Sequence, residues 1–127
     1  MNNDIYTEAE DYYDMARSWI DNGERDKAAE CLRHVISRNP NFIYAYVDLA
    51  EILAGEKNYH DAQKAIKGAI HRDKNFHDLH YLMAKYAFKE HDYKKALKFI
   101  DNAICISPEY LYLRVRNVIQ RRYESIN

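Results

Sequence analysis

The chain is 127 residues long, enough for one domain with its own core and no need of disulfide or metal staples. Only 3 Gly and 2 Pro accompany 47% hydrophobic and 31% charged residues, which argues against a turn-rich all-β fold and for soluble amphipathic helices. A net charge of −1 gives the whole molecule no pull toward nucleic acid or an anionic membrane.

In chain order, the start from Met1 to Asp4 shows neither the basic region nor the apolar run of a secretory signal. Tyr12, Met15, Ala16 and Trp19 then fall at offsets 0, 3, 4 and 7, one face of a helix predicted over 8–22. Asn22-Gly23 marks a turn. Ala28, Leu32 and Val35 continue the apolar stripe on a second helix over 24–38, which Asn39-Pro40-Asn41 closes because Pro cannot extend it. Tyr46, Leu49, Ala50 and Leu53 repeat the first pattern over 42–55, and Ala62 and Ile66 repeat the second over 59–72. His80, Met83, Ala84 and Ala87 give the pattern again over 76–90, with Ala96 and Ile100 on its partner over 93–106. Ser107-Pro108-Glu109 then predicts a last helix over 109–124, with Ser as N-cap, Pro at the first helical position and an acid in the first turn. Leu111, Val115, Val118 and Ile119 form its expected packing face.

The spacing is periodic. Ala16, Ala50 and Ala84 are 34 residues apart, as are Ala28, Ala62 and Ala96, and Leu32, Ile66 and Ile100. The unit, an aromatic, an apolar residue, a small residue and a second large one, then Ala, a large apolar residue and Pro, resembles the tetratricopeptide repeat. The resemblance covers about residues 9–108 in three copies, at 9–42, 43–76 and 77–110, with a capping helix at 109–124. It implies an all-α, right-handed α-solenoid of seven helices in a single domain. The departures are His80 and Ala87 at aromatic positions and Lys74 in place of Pro, which lead to the expectation of a looser first helix in the third unit and a less abrupt second junction.

The resemblance also implies that the first helix of each pair lines a concave face that holds a peptide or a partner helix. The residues of those helices not needed for packing are Tyr13, Asp14 and Arg17 in the first unit, Tyr44, Val47, Asp48 and Glu51 in the second, and Asp78, Tyr81, Lys85 and Phe88 in the third. Aromatic groups there offer contact area at low entropy cost, and the excess of acids favours a partner segment with basic and apolar side chains. Replacing Tyr81 and Asp48 together is then expected to leave helicity intact while binding is lost. The relatives that grip chaperone C-termini do so with Lys, Asn and Arg, whereas this surface presents Tyr13, Asp48, Asp78 and Leu82, so that mode is not expected.

The function that follows is a non-catalytic protein-interaction module, an adaptor, co-chaperone or assembly factor, with no cofactor and no metal. A secretion-type chaperone is the alternative within the family, although only about eight residues precede the first repeat and such chaperones carry an extra N-terminal helix there. No phosphate loop or nucleophile elbow supports catalysis. His71, Asp73, His77 and His80 cluster in sequence but straddle a junction, so they read as packed or solvated groups, not metal ligands. Cys31 and Cys105 read as small apolar side chains rather than a disulfide.

Charge is uneven: residues 1–30 hold nine acidic and three basic side chains, and residues 64–127 hold seven and thirteen. In a linear stack this becomes a polarity along the long axis, which makes a homodimer through opposite ends one option. The basic last helix, with Arg114, Arg116, Arg121 and Arg122, offers RNA binding as a reading from another class, though aromatic interleaving is slight. A cytoplasmic location and no membrane association are the default expectations, since no run approaches the roughly 20 apolar residues of a membrane span.

Overall fold

The computed structural model describes the backbone of residues 3–126 and the side chains of residues 6–126. Among the described residues there are seven helices and no strand: α1 (Asn3–Asp21), α2 (Arg25–Arg38), α3 (Ile43–Gly55), α4 (Tyr59–Arg72), α5 (His77–Lys89), α6 (Tyr93–Ile106) and α7 (Tyr110–Ile126). Each helix packs on its neighbours in chain order, so α1–α2, α3–α4 and α5–α6 form three hairpins stacked in a row, with α7 covering the far end. None of these helices is long and apolar enough to cross a membrane.

The small residues set this geometry. Ala16, Ala50 and Ala84 on the first helices and Ala28, Ala62 and Ala96 on the second are all fully buried, which lets paired backbones approach closely. Leu32, Ile66 and Ile100 fill the space beside them. The core runs in two parts, one from Ala9 through Tyr86 and one from Ala84 to Ile119, and α5 contributes to both.

The turns inside the hairpins repeat as well. Gly23, Lys57 and His91 occupy equivalent places and all adopt left-handed backbone, with φ of 78°, 62° and 64°. Asn58 and Asp92 cap the helices that follow, each accepting through its side chain from the backbone N–H of Asp61 and Lys95. Glu24, at the same place before α2, makes no such bond.

Five sequence expectations need correction. The first helix begins at Asn3, not near residue 8; Ala9 in it is fully buried, and Glu8 reaches His34 (3.0 Å) and Arg38 (3.5 Å) on α2. Met15 is 47% exposed, whereas its equivalents Leu49 and Met83 are buried against the preceding hairpin. No helix among the described residues precedes α1 to cover it. Ser107 is the C-cap of α6, its N–H bonded to Ala103, and α7 starts only at Tyr110. The packing face of α7 is Tyr112 and Ile119, while Leu111 and Val118 are 51% and 47% exposed. Lastly, the first helix of the third unit and the second junction do not differ in extent from their counterparts: α5 has the same 13-residue length as α3, and the junction at Lys74 is four residues long like that at Pro40.

Candidate functional site

The first helices α1, α3 and α5 share one face, and side chains join them across it. Tyr13 donates its hydroxyl to Asp48 Oδ2 at 2.6 Å, and Arg17 approaches the same oxygen at 3.4 Å. The Tyr13 ring lies on Phe42, with centroids 4.7 Å apart. Asp48 is therefore buried (8% exposed), held by a phenol and a guanidinium, and is not the free acid that a solvated helix face suggests. Replacing Asp48 would leave Tyr13 and Arg17 without their shared acceptor, so Asp48 has a structural part beside the one expected of it in binding.

Burial pushes the Tyr13 phenol up to about 12, and the carboxylate of Asp48 adds to the effect. Glu51, one turn further on, is held above the usual carboxylate range, first by desolvation and then by Asp48, against the opposing pull of Lys85 and Arg17. Asp14, Arg17 and Glu51 reach solvent, Tyr44 is 59% exposed and Val47 is half-buried. Tyr44 meets Phe76 edge-on at 6.4 Å.

The α5 end of the face is built differently. Tyr112 from α7 is buried beneath it, stacked on Tyr81 with centroids 5.3 Å apart. Its hydroxyl donates to Asp78 Oδ1 (3.0 Å) and lies 2.7 Å from His77 Nδ1, which supplies the second hydrogen. Asp78 remains exposed but already holds this internal bond. Burial and the Asp78 carboxylate raise the Tyr112 phenol strongly.

Between α5 and α7 lies an open cleft of about 540 Å³ with Tyr81, Phe88 and Val115 along it. Leu111 and Val118, two of the apolar residues of α7 that do not enter the core, line it as well. Lys85, Arg114 and Arg121 stand around its edge, and Arg122 lies over the Phe88 ring at 6.0 Å. The sequence pattern puts Tyr81, Lys85 and Phe88 on the first-helix face but gives no sign of the α7 wall, because Leu111 and Val118 read in it as part of an inward stripe.

The face thus has two characters. Asp14 and Glu51 give the α1–α3 part an acidic surface, and the α5–α7 part is apolar with cations around it. Of the aromatic residues expected to be free, Tyr13 and Tyr81 are committed to packing and half-buried, Phe88 is half-buried against Tyr93, and Tyr44 alone of the four is exposed.

The histidine cluster disperses: His80 is buried and bonded to the Lys74 carbonyl, and His77 is bonded to Tyr112. Among the described residues no group of three or more His, Cys, Asp or Glu side chains could hold a metal ion. Cys31 is buried, Cys105 is exposed, and both are free thiols.

A family model described as the tetratricopeptide repeat matches residues 19–86. No curated protein matches the chain. Among solved structures, the first such domain of Spaghetti (RPAP3), bound to the HSP90 peptide SRMEEVD, superposes with a TM-score of 0.84 at 13% identity, covering 93% of this chain and 94% of that one. The OM64 domain of Arabidopsis gives 0.81 at 14% identity, with 92% and 98% covered. The Sgt2 domain of Aspergillus fumigatus gives 0.81 at 16% identity, with 94% and 82% covered. At such identities the likeness is one of fold.

Proposed function

The chain belongs to the tetratricopeptide repeat family, and from that premise we propose that it is a non-catalytic adaptor or co-chaperone whose first-helix face holds a segment of a partner protein. The Spaghetti domain, which shares this fold, holds a peptide. The observation that carries the reading for this chain is the α5–α7 cleft. It gathers Tyr81, Phe88, Leu111 and Val118 around one solvent-accessible space. Two aliphatic side chains half exposed at the edge of an aromatic cleft are a surface that an apolar anchor would cover.

The expected occupant carries an apolar anchor for this cleft and basic side chains toward Asp14 and Glu51. The HSP90 peptide of the Spaghetti structure is instead acidic at its end. Here two of the positions read in sequence as facing a ligand, 48 and 78, are Asp, and both are already bonded to tyrosines.

Selection from a random peptide library displayed on phage tests the reading. The wild type should enrich peptides with a large apolar residue and Lys or Arg, and Leu111→Glu/Val118→Glu should abolish that enrichment with an unchanged helical spectrum. Equal enrichment by both proteins, or none by the wild type, would remove the cleft from consideration.

A further inference from the structure

The opposite face, made by the second helices, carries a second surface. Between α4 and α6, over the backs of α3 and α5, runs a trough whose two halves measure about 790 and 680 Å³. The halves share Lys64, Lys67, Ile70, Lys98 and Phe99, so they are continuous. Seven Lys and Arg side chains line the two halves against one acid, Asp92, whose Oδ1 is engaged with the Lys95 N–H. Among the described residues none of these seven cations makes an ion pair.

Two buried polar groups line the same trough. Gln63 (5% exposed) donates from its amide nitrogen to Glu90, and its Oε1 has no partner among the described residues. His80 (6% exposed) must donate from Nε2 to the Lys74 carbonyl, and its Nδ1 likewise has no partner among them. Unpartnered buried acceptors are costly.

We propose that this trough is a second docking surface, which takes an acidic, partly apolar segment of a partner polypeptide. Charge complementarity sets the sign of the occupant. The floor sets its class: Ile70, Phe99 and Met83 want apolar side chains, which a polypeptide has and a phosphate lacks. Six of the seven cations are Lys, point charges on flexible stems, and not the planar forks that favour phosphate and nucleic acid. The two faces then differ in what they recognise, a basic and apolar segment on one and an acidic segment on the other, so one molecule can bridge two partners.

Fluorescence anisotropy with a labelled synthetic peptide of glutamates and interspersed leucines, at roughly 0.15 M salt, tests the proposal on the full chain. Binding should saturate, weaken as salt rises and fall about tenfold or more in Lys64→Glu/Lys67→Glu/Lys98→Glu. These side chains are exposed, so the far-UV circular dichroism spectrum should not change. The matching Lys→Arg triple variant should still bind, and Leu111→Glu/Val118→Glu should bind as the wild type does, which separates this surface from the first-helix face. Absence of saturable binding, undiminished binding by the Glu variant, or displacement of the peptide by poly(U) RNA or phosphatidylserine vesicles in preference would overturn it.

Discussion

The imidazole Nε2 of His80 donates to the backbone carbonyl of Lys74 at 2.8 Å. One repeat earlier the hydroxyl of Tyr46 donates to the carbonyl of Pro40 at 2.7 Å. The two bonds occupy equivalent places, so a histidine and a lysine reproduce a contact otherwise made by a tyrosine and a proline. The junction is held by a side chain that reaches back six residues to the turn, and both an imidazole and a phenol satisfy that requirement. This is why the third unit keeps its geometry despite two departures from the repeat pattern.

Lys74→Pro should therefore stabilise the fold. The residue before it, Asp73, has φ −144° and ψ 94°, close to the −137° and 87° of Asn39 before Pro40, and such extended backbone accommodates a following proline. The expected gain is about 0.4–1 kcal/mol, through a less flexible unfolded chain. His80→Phe should cost about 1–3 kcal/mol by leaving the carbonyl unsatisfied. Thermal melts followed by circular dichroism check both, and a loss of stability in Lys74→Pro would show that the two junctions are not equivalent.

The left-handed residues at 23, 57 and 91 give a second pair of opposed effects. Gly23 adopts φ 78° without strain, and Gly23→Ala should cost about 1 kcal/mol. Lys57 adopts φ 62° with a β-carbon, so Lys57→Gly should gain up to about 1 kcal/mol. His91 is a poorer test, because its Nδ1 contacts the Tyr93 hydroxyl at 2.8 Å and glycine would lose that contact. Urea midpoints that move in the same direction for Gly23→Ala and Lys57→Gly would contradict this account.

Much of the fold was legible because the constraint that makes it is local and repetitive. A buried Ala at a helix–helix contact tolerates no larger side chain, so its 34-residue period survives where the residues around it vary. The register of α7 was not legible in the same way. Leu111, Val115 and Val118 make as good an apolar stripe as Tyr112, Val115 and Ile119. The second is chosen because the Tyr112 hydroxyl finds Asp78 and His77, 34 and 35 residues away. Asp48 was misread for a similar reason: an aspartate on a helix reads as solvated until its partner, 35 residues earlier, is known. The exposed half of the cleft followed from the same error, since a stripe assigned inward cannot be counted as surface.

Tyr13 and Asp48 can be followed by titration. With its phenol pushed up to about 12, Tyr13 should ionise well above the usual tyrosine value of about 10 in an NMR titration of the ring carbons. Because the folded state holds this proton more tightly than the unfolded chain, the associated stability is complete below about pH 10, where an unfolded tyrosine titrates, and is lost as pH rises toward 12. In Asp48→Asn the elevation should shrink without vanishing, since burial is its largest cause. A Tyr13 phenol titrating at the usual tyrosine value would show that the bond to Asp48 does not persist in solution.

Glu51 links stability to binding. Desolvation and the nearby Asp48 hold its carboxyl above the usual range, so the folded state favours its protonated form. Stability tied to this group is complete at acid pH, below the value of the unfolded chain, and is lost as pH rises through the folded value. Glu51→Gln should accordingly raise the melting temperature slightly at neutral pH and change it little at about pH 3, where both proteins are neutral at this position. A basic side chain of a partner seated beside Glu51 would favour the ionised form. Affinity for a basic and apolar segment should therefore rise with pH across the titration of Glu51 in the wild type, and stay flatter in Glu51→Gln. Isothermal titration calorimetry in buffers of different ionisation enthalpy would register the release of that proton on binding. Identical pH dependence in the two proteins would place the basic end of the partner away from Glu51.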